Sequence, residues 1–410
     1  MRKFDTAPIN PSIARGSNQI GMRAHNERLV LTLIRQHGAL AKAEVARLTG
    51  LSPQTVSVIM RALEVDVLLQ RDTPVRGKIG QPSTPMSLRA DGAFFFGLSI
   101  SRRSLDLVLI DFLGTERSRA RVTHRFPTPD QAVQFAIGAV AQLTMGLTNI
   151  ELERIGGLGI AMPFHLWEWA GRMRAPPEKM DEWQHRDIAA EIAAQINIPV
   201  YLRNDASAAC GAELVFGRPD KPSNFLYFFL AFFIGGGLVL DNRLFTGPTG
   251  NEAALGAMPV YVPQAEMLNP AQQKKCQLID VASLVSLEAL LLAEGQDPAL
   301  IWENSHQWQV SGPALDRWLD QAAEGLAQAT YAAACLVDFS QAIVDGWLPA
   351  LVREELVRRA NAAMAKLPMA GVERPVLREG SIGGQARALG AASLPLSARF
   401  LVDHNARQNT

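Results

Sequence analysis

Alternation of apolar and polar positions first becomes regular near residue 26. Over 26–36, Leu29, Val30, Leu33 and Ile34 recur at helical spacing, and Gly38 follows as a stop. A second periodic stretch, 42–48, places Val45, Ala46 and Leu48 on one side and ends at Thr49 and Gly50, with Gly50 supplying a tight turn between helices. Ser52 then stands as a cap with Pro53 at the first helical position, so a third helix starts there. On it, Val56, Ile59, Met60 and Leu63 face inward, which leaves Gln54, Thr55, Ser57 and Arg61 outward. Such short polar groups suit base edges and phosphates, and they also suit the solvent side of a small helical domain.

The period then changes. Residues 68–71 read as a strand, 76–82 (RGKIGQP) as a basic, glycine-containing tip, and 85–88 as a returning strand. Two strands with such a tip make a wing. Its Arg76, Lys78 and Gln81 can follow a nucleic-acid backbone or enter a minor groove while the third helix occupies the major groove. Val67 stands at the turn before the first wing strand; a position requiring positive φ there would strain valine by about 1 kcal/mol or more.

Beyond residue 90 strands and helices alternate. Residues 94–100 and 104–112 read as paired strands, 130–147 as a helix, 155–161 as a buried strand, 188–196 as an amphipathic helix, and 199–203 as a strand ending on Asn204 and Asp205. This order predicts an α/β sheet, where ligands gather at the carboxyl ends of strands. The segment 225–240 (FLYFFLAFFIGGGLVL) is apolar but too short and too interrupted for a membrane span; two buried strands meeting at a glycine turn are expected.

Composition sharpens this reading. With 48% hydrophobic and 20% charged residues among 410, the chain can build two or three packed units. Its net charge of zero conceals an asymmetry: residues 1–90 hold 13 Lys and Arg against 6 Asp and Glu, so the remainder is acidic by the same margin. A basic head on an acidic body fits a phosphate-binding module joined to one that avoids DNA. The three cysteines, Cys210, Cys276 and Cys335, cannot frame a disulfide scaffold, and no secretory pattern opens the chain, so a cytoplasmic location is expected. The expected divisions are a flexible basic arm over 1–20, a winged helix-turn-helix over 21–90, and a two-lobed body over 91–410 with a hinge near 205–220.

These residues together resemble the ROK family of repressors, open reading frames and sugar kinases. The resemblance rests on Asn26, Leu33, Ile34, Glu44, Val45, 49–52 (TGLS), 55–57 (TVS) and 80–82 (GQP) in the head. In the body it rests on 159–163 (GIAMP), 204–206 (NDA), Glu213, 216–217, 234–237 (IGGG), Asp241, 244–245, Gly247 and Gly250. It implies an α/β fold class in which the winged helix-turn-helix precedes a two-lobed actin-like ATPase (ROK sugar kinase-like) domain. Asn204 and Asp205 match the family's sugar-contacting asparagine and catalytic-base aspartate. Capping of the following helix by Asp205 accounts for that residue equally well.

Several parts a sugar kinase requires are missing. The resemblance implies a carboxylate in the first phosphate loop, but 97–103 reads GLSISRR, with Arg102 and Arg103 where the family has glycine. The second should present threonine and glycine, but Phe232 and Phe233 stand there and favour packing over nucleotide binding. The Gly-Glu-x-Gly-His segment is replaced by 250–257 (GNEAALGA), where Glu252 is a substitute sugar ligand, and the family's zinc cysteines reduce to Cys276. Neither zinc nor another cofactor is expected. Trp167, Trp169 and Trp183, near His165 and His185, can stack on a sugar ring or fill a core.

The leading expectation is a non-enzymatic DNA-binding regulator of carbohydrate genes, its body dimerising and binding a sugar or sugar phosphate, with Asp205 a vestigial catalytic base. Partners expected are double-stranded operator DNA, the small-molecule effector and a second copy, as homodimer or dimer of dimers, without a membrane. An active ATP-dependent sugar kinase carrying a DNA-binding head is the alternative; a third reading is a constitutive DNA-binding protein with an inert body.

Overall fold

The computed structural model describes residues 19–74, 83–164, 166–173, 175–247, 250, 253–263 and 273–402. The head comprises α1 (Gln19–His37), α2 (Lys42–Thr49), α3 (Pro53–Val65), β1 (Leu69–Arg71) and β2 (Met86–Leu88). Helix α1 begins seven residues before its apolar period does. The Ser52 hydroxyl accepts the Thr55 amide at 3.1 Å and starts α3, a cap that contributes about 1 kcal/mol. Val56, Ile59, Met60 and Leu63 of α3 are buried, each stabilising the head by about 1.5–3 kcal/mol relative to exposure. β1 and β2 pair antiparallel, and Leu40 exchanges backbone hydrogen bonds with Met86 to add a third, minimal strand.

Helix α3 ends in a Schellman turn. Leu68 N–H donates to Leu63 C=O at 2.9 Å and Val67 N–H to Glu64 C=O at 3.1 Å. The residue at the left-handed position is Val67, with φ of 64°. A β-branched side chain occupies a conformation that favours glycine, as the sequence raised for this turn.

The body is built from two sheets of the same plan. The first lobe contains β3 (Phe94–Ile100), β4 (Ser104–Asp111), β5 (Glu116–Thr123), α4 (Pro129–Thr144), α5 (Asn149–Glu153), β6 (Ile155–Met162), α6 (Ala170–Met173), α7 (Pro177–His185), α8 (Ile188–Ala193) and β7 (Val200–Asn204). Its strand order is β5-β4-β3-β6-β7. The second lobe follows α9 (Asp205–Phe216) with β8 (Phe225–Leu230), β9 (Gly235–Leu240), β10 (Arg243–Leu244), β11 (Pro259–Pro263), β12 (Gln273–Gln277), α10 (Leu278–Ala282), α11 (Leu284–Ala293), α12 (Pro313–Ala334), β13 (Gln341–Gly346), α13 (Ala350–Met364) and β14 (Val376–Glu379). Its order is β10-β9-β8-β13-β14. Each sheet opens with three antiparallel strands and continues with two parallel ones, so the lobes repeat one topology. The final helix, α14 (Ala386–Phe400), returns to the first lobe and packs on β3, β6 and α9.

The segment 225–240 does form two strands, but the glycines are not their turn. The turn is 231–234, and Gly235, Gly236 and Gly237 begin β9. A Cβ on Gly237 would strike Cys210 of α9, and one on Gly236 would strike the Tyr227 carbonyl and Leu255. Close approach of neighbouring elements explains these glycines.

Head and body share one apolar core. Val30, Ile34, Leu63 and Leu88 of the head cluster with Phe95, Ile110 and Phe112 of the first sheet and with Ala392 and Leu396 of α14. The Val402 amide also donates to the Thr32 hydroxyl at 3.1 Å.

Candidate functional site

Two regions carry the sequence-identified residues. In the head, Gln54, Thr55 and Arg61 are exposed along α3 and Ser57 is half-buried. Ser52, exposed at the helix start, bonds the Thr55 hydroxyl at 2.8 Å, and Lys42 donates to Ser57 at 3.2 Å. α3 therefore presents a polar ridge starting at its amino end, where its dipole also favours phosphate. Arg71 and Glu64 form a two-pronged pair, 2.7 and 3.1 Å, that ties β1 to α3. Arg76, Lys78 and Gln81 lie outside the described residues.

The second region is the junction between the lobes, where β7 runs into α9. Asn204 is the cap of α9: its Oδ1 accepts the amides of Ala206 at 3.0 Å and Ser207 at 3.3 Å. The capping role open to Asp205 thus belongs to Asn204. Asp205, the first residue of α9, instead lies 3.6 Å from the Arg387 guanidinium, which α14 delivers from its first turn. Both side chains are largely buried. A second buried guanidinium, Arg102 from the β3–β4 turn, also feels the Asp205 charge, and burial depresses its pKa to about 10. Burial lowers that of Arg387 as well. Two buried cations therefore face Asp205, with Asp106 also acting on Arg387, and the Nε atoms of both arginines are buried without an acceptor. Glu252 lies outside the described residues.

The phosphate-loop positions of the two lobes lie against each other. The Arg102 guanidinium sits over the Phe233 ring at 4.3 Å and within 6.0 Å of Phe232. Arg103 lies over Phe232 at 5.6 Å and over Trp302 at 5.5 Å, and pairs with Glu288 at 2.8 Å. Phe232 and Phe233 are buried in the second-lobe core. These contacts are cation–π interactions: those of Arg102 are shielded from solvent and contribute about 1–2 kcal/mol each, while those of the exposed Arg103 contribute about 0.5–1 kcal/mol. Rings and guanidinium groups occupy both turns where phosphates require small side chains, so the residues present do not fit ATP and magnesium. For zinc the donor set is equally poor. Cys276 on β12 points its thiol toward the Val260 carbonyl, and among the described residues no three His, Cys, Asp or Glu side chains group as metal ligands.

Of the aromatic cluster, Trp183 belongs to the first-lobe core and donates to the Pro127 carbonyl at 3.1 Å. Trp167 packs partly buried beside it and His185 is exposed; His165 lies outside the described residues. No described helix is long and apolar enough to cross a membrane.

Residues 97–397 match the ROK family, the greater part of the chain. The chain belongs to the ROK family. Residues 23–66 of this ROK protein match a winged helix-turn-helix DNA-binding domain. Among similar proteins, an uncharacterized protein of Sinorhizobium fredii, y4fQ, is 24% identical over 376 residues, covering 92% of this chain and 91% of that one. The xylose repressor of Caldicellulosiruptor bescii is 21% identical over 239 residues, 58% of this chain and 59% of its own length. A solved ROK family transcriptional regulator, described as a homolog of the E. coli MLC protein, superposes with a TM-score of 0.64 at 19% identity, over 92% of this chain and 97% of that one. That last likeness shows a common fold: winged head, then two actin-like lobes. The chain spans about three-fifths of the length of the xylose repressor it matches.

Sequence reasoning missed Arg387. It sits 182 positions after Asp205, in a stretch whose only signal was a helix rich in alanine and glycine.

Proposed function

We propose that this ROK protein is a DNA-binding transcription regulator, a repressor of carbohydrate-metabolism genes, whose body binds a sugar or sugar phosphate and dimerises. One observation carries the reading: α14 reaches both functional regions. Its first turn supplies Arg387 to Asp205, and its last turns supply Leu396 and the Val402 amide beyond it to α1 of the head. α14 is held along this path by contacts too close for a side chain; a Cβ on Gly159 would meet the Ala391 carbonyl. A ligand that displaces Arg387 from Asp205 therefore has a rigid connection to the DNA-reading element.

In this reading the head occupies 21–90 and the body 91–410. Gln54, Thr55, Ser57 and Arg61, with Ser52 at the helix start and Arg76, Lys78 and Gln81 from the wing, contact operator DNA. Asn204, Asp205 and Glu252 contact the sugar; Asn204 keeps its amide nitrogen for a hydroxyl while its oxygen caps α9. Asp205 binds without abstracting a proton for phosphoryl transfer, because the phosphate loops are closed by Arg102, Phe232 and Phe233. The protein works in the cytoplasm as a homodimer or dimer of dimers over an inverted repeat. The ligand shifts DNA affinity by no more than its preference between the two head arrangements.

Titration of the full chain against labelled DNA from its own upstream region, at fixed salt, with a panel of sugars and sugar phosphates tests this. Sequence-preferring binding that one compound shifts is expected. Equal affinity for competitor DNA would overturn the regulator reading, and ATP-dependent sugar phosphorylation would overturn the non-enzymatic one.

A further inference from the structure

Where the head meets the body there is an open groove of about 1150 Å³, away from the Asp205 cleft. One wall is the carboxyl end of α1; the others are β7, the second half of α9, the β9–β10 turn with β10, and the second half of α14. Its charge is one-sided. Arg35, His37, Arg203, Lys221 and Arg243 line it, and no aspartate or glutamate does so among the described residues.

No carboxylate among the described lining residues neutralises Arg35, Lys221 or Arg243 from within the groove; Asp111, Glu213 and Asp220 act from outside it, on Arg35 and Lys221. Arg35 is held between the rings of Phe112 and Phe216, at 5.1 and 5.9 Å, and donates one Nη to the Phe112 carbonyl at 2.5 Å. Its Nε is buried without an acceptor, and burial depresses its pKa to about 10. The nearby Asp111 is committed elsewhere, accepting the Leu113 and Thr115 amides at 2.9 and 3.0 Å. The Nε of Arg243 is also buried and without an acceptor. Lys221 spends its ammonium on the Arg218 and Gly217 carbonyls, at 3.0 and 3.5 Å, with burial drawing its pKa down. Cations of head and body that line one groove with no carboxylate among its described lining residues match an oxyanion that accepts from several directions.

We propose that this head–body groove is a second ligand site, which takes a small organic oxyanion, a phosphate ester or a carboxylate, held between Arg35 of the head and Lys221 and Arg243 of the body. The organic part lies against Phe216. Because the ligand bridges head and body, its binding favours the docked arrangement of the head and changes operator affinity.

The test is calorimetric titration of the full chain, at constant chloride, with inorganic phosphate, a hexose 6-phosphate, the corresponding hexuronate and the neutral hexose. The expected result is saturable binding of the phosphate ester, the hexuronate or both, weakened about tenfold or more in Arg243→Gln and in Lys221→Gln. The two anionic arms identify which oxyanion is preferred, and the neutral hexose does not compete. Circular dichroism melts confirm that each variant is folded, and either variant alone suffices. The proposal is overturned if neither organic anion binds, if both folded variants bind as the parent does, or if the neutral hexose displaces the anion, which would place it in the cleft. Neutral hexose that never binds would instead remove that hexose as the cleft's ligand and leave the groove standing.

Discussion

Arg102 and Phe233 close the interlobe junction: the guanidinium of one lobe's turn lies 4.3 Å from the ring centroid of the other's. In a working kinase both turns need small side chains around phosphates. Here they are each other's ligand. Phe233→Ala removes a buried ring and leaves Arg102 without its partner, so it should destabilise the protein by about 3–5 kcal/mol in urea unfolding. It should confer no ATP-induced rise in melting temperature, since Phe232 and Arg103 still cover the turn.

Asn204 and Asp205 are adjacent but do separate work, and mutation should part them. Asn204→Ala loses a helix cap and should cost about 1 kcal/mol. Asp205→Ala strands the buried Arg102 guanidinium and leaves Arg387 only the charge of Asp106, so it should cost about 3 kcal/mol or more. Pairing Asp205→Ala with Arg387→Leu should recover part of that loss in the same unfolding measurement; full additivity would show that the two side chains are not coupled.

Val67→Gly should stabilise the protein by about 1 kcal/mol, by relieving the left-handed strain at the end of α3. Val67→Ala, which keeps a Cβ, should gain much less. A denaturation midpoint that falls with glycine would mean that the valine side chain contributes more by packing than its backbone costs.

Glu213 is a buried carboxylate that accepts from the Ser381 amide and hydroxyl at 3.0 and 2.9 Å, and burial raises its pKa above the ordinary 4.5. A raised value means that the folded state holds the proton more tightly than the unfolded chain. Its contribution is complete below 4.5 and is lost as the pH rises through the folded value. Glu213→Gln, uncharged throughout, should flatten the decline in stability between about pH 4.5 and pH 7. Parallel curves for parent and variant would rule this out.

On the DNA side, Arg61→Ala should weaken binding to all sequences and reduce the slope of log affinity against log salt by about 1. Gln54→Ala should relax discrimination at one base pair, by about 1–3 kcal/mol, with the salt slope unchanged. Competition binding at several salt concentrations separates the two.

Much of this architecture is legible in the chain because it is written in local chemistry. Ser52, Pro53 and the spacing of Val56, Ile59, Met60 and Leu63 specify α3 without reference to distant residues. The strain at Val67 is equally local, since only its own φ is at issue. Phe232 and Phe233 announce packing by their size. What escapes sequence reasoning depends on partners remote in the chain. Gly235 to Gly237 look like a turn until α9 is laid against them, and Asp205 looks like a cap until Arg387 arrives from α14. The joint core of head and body is invisible for the same reason: Leu396 carries no mark that it shares a core with Ile34.

That joint core also orders the protein's birth. Thr32 waits for an amide 370 residues downstream, and Ile34 for a leucine nearly as far. During synthesis α1 emerges long before α14, and the side of it that meets α14 stays uncovered until that helix has left the ribosome. A chain still being translated therefore lacks part of the core against which Ile34 and Leu63 are buried, and the head completes its packing only when the last helix arrives.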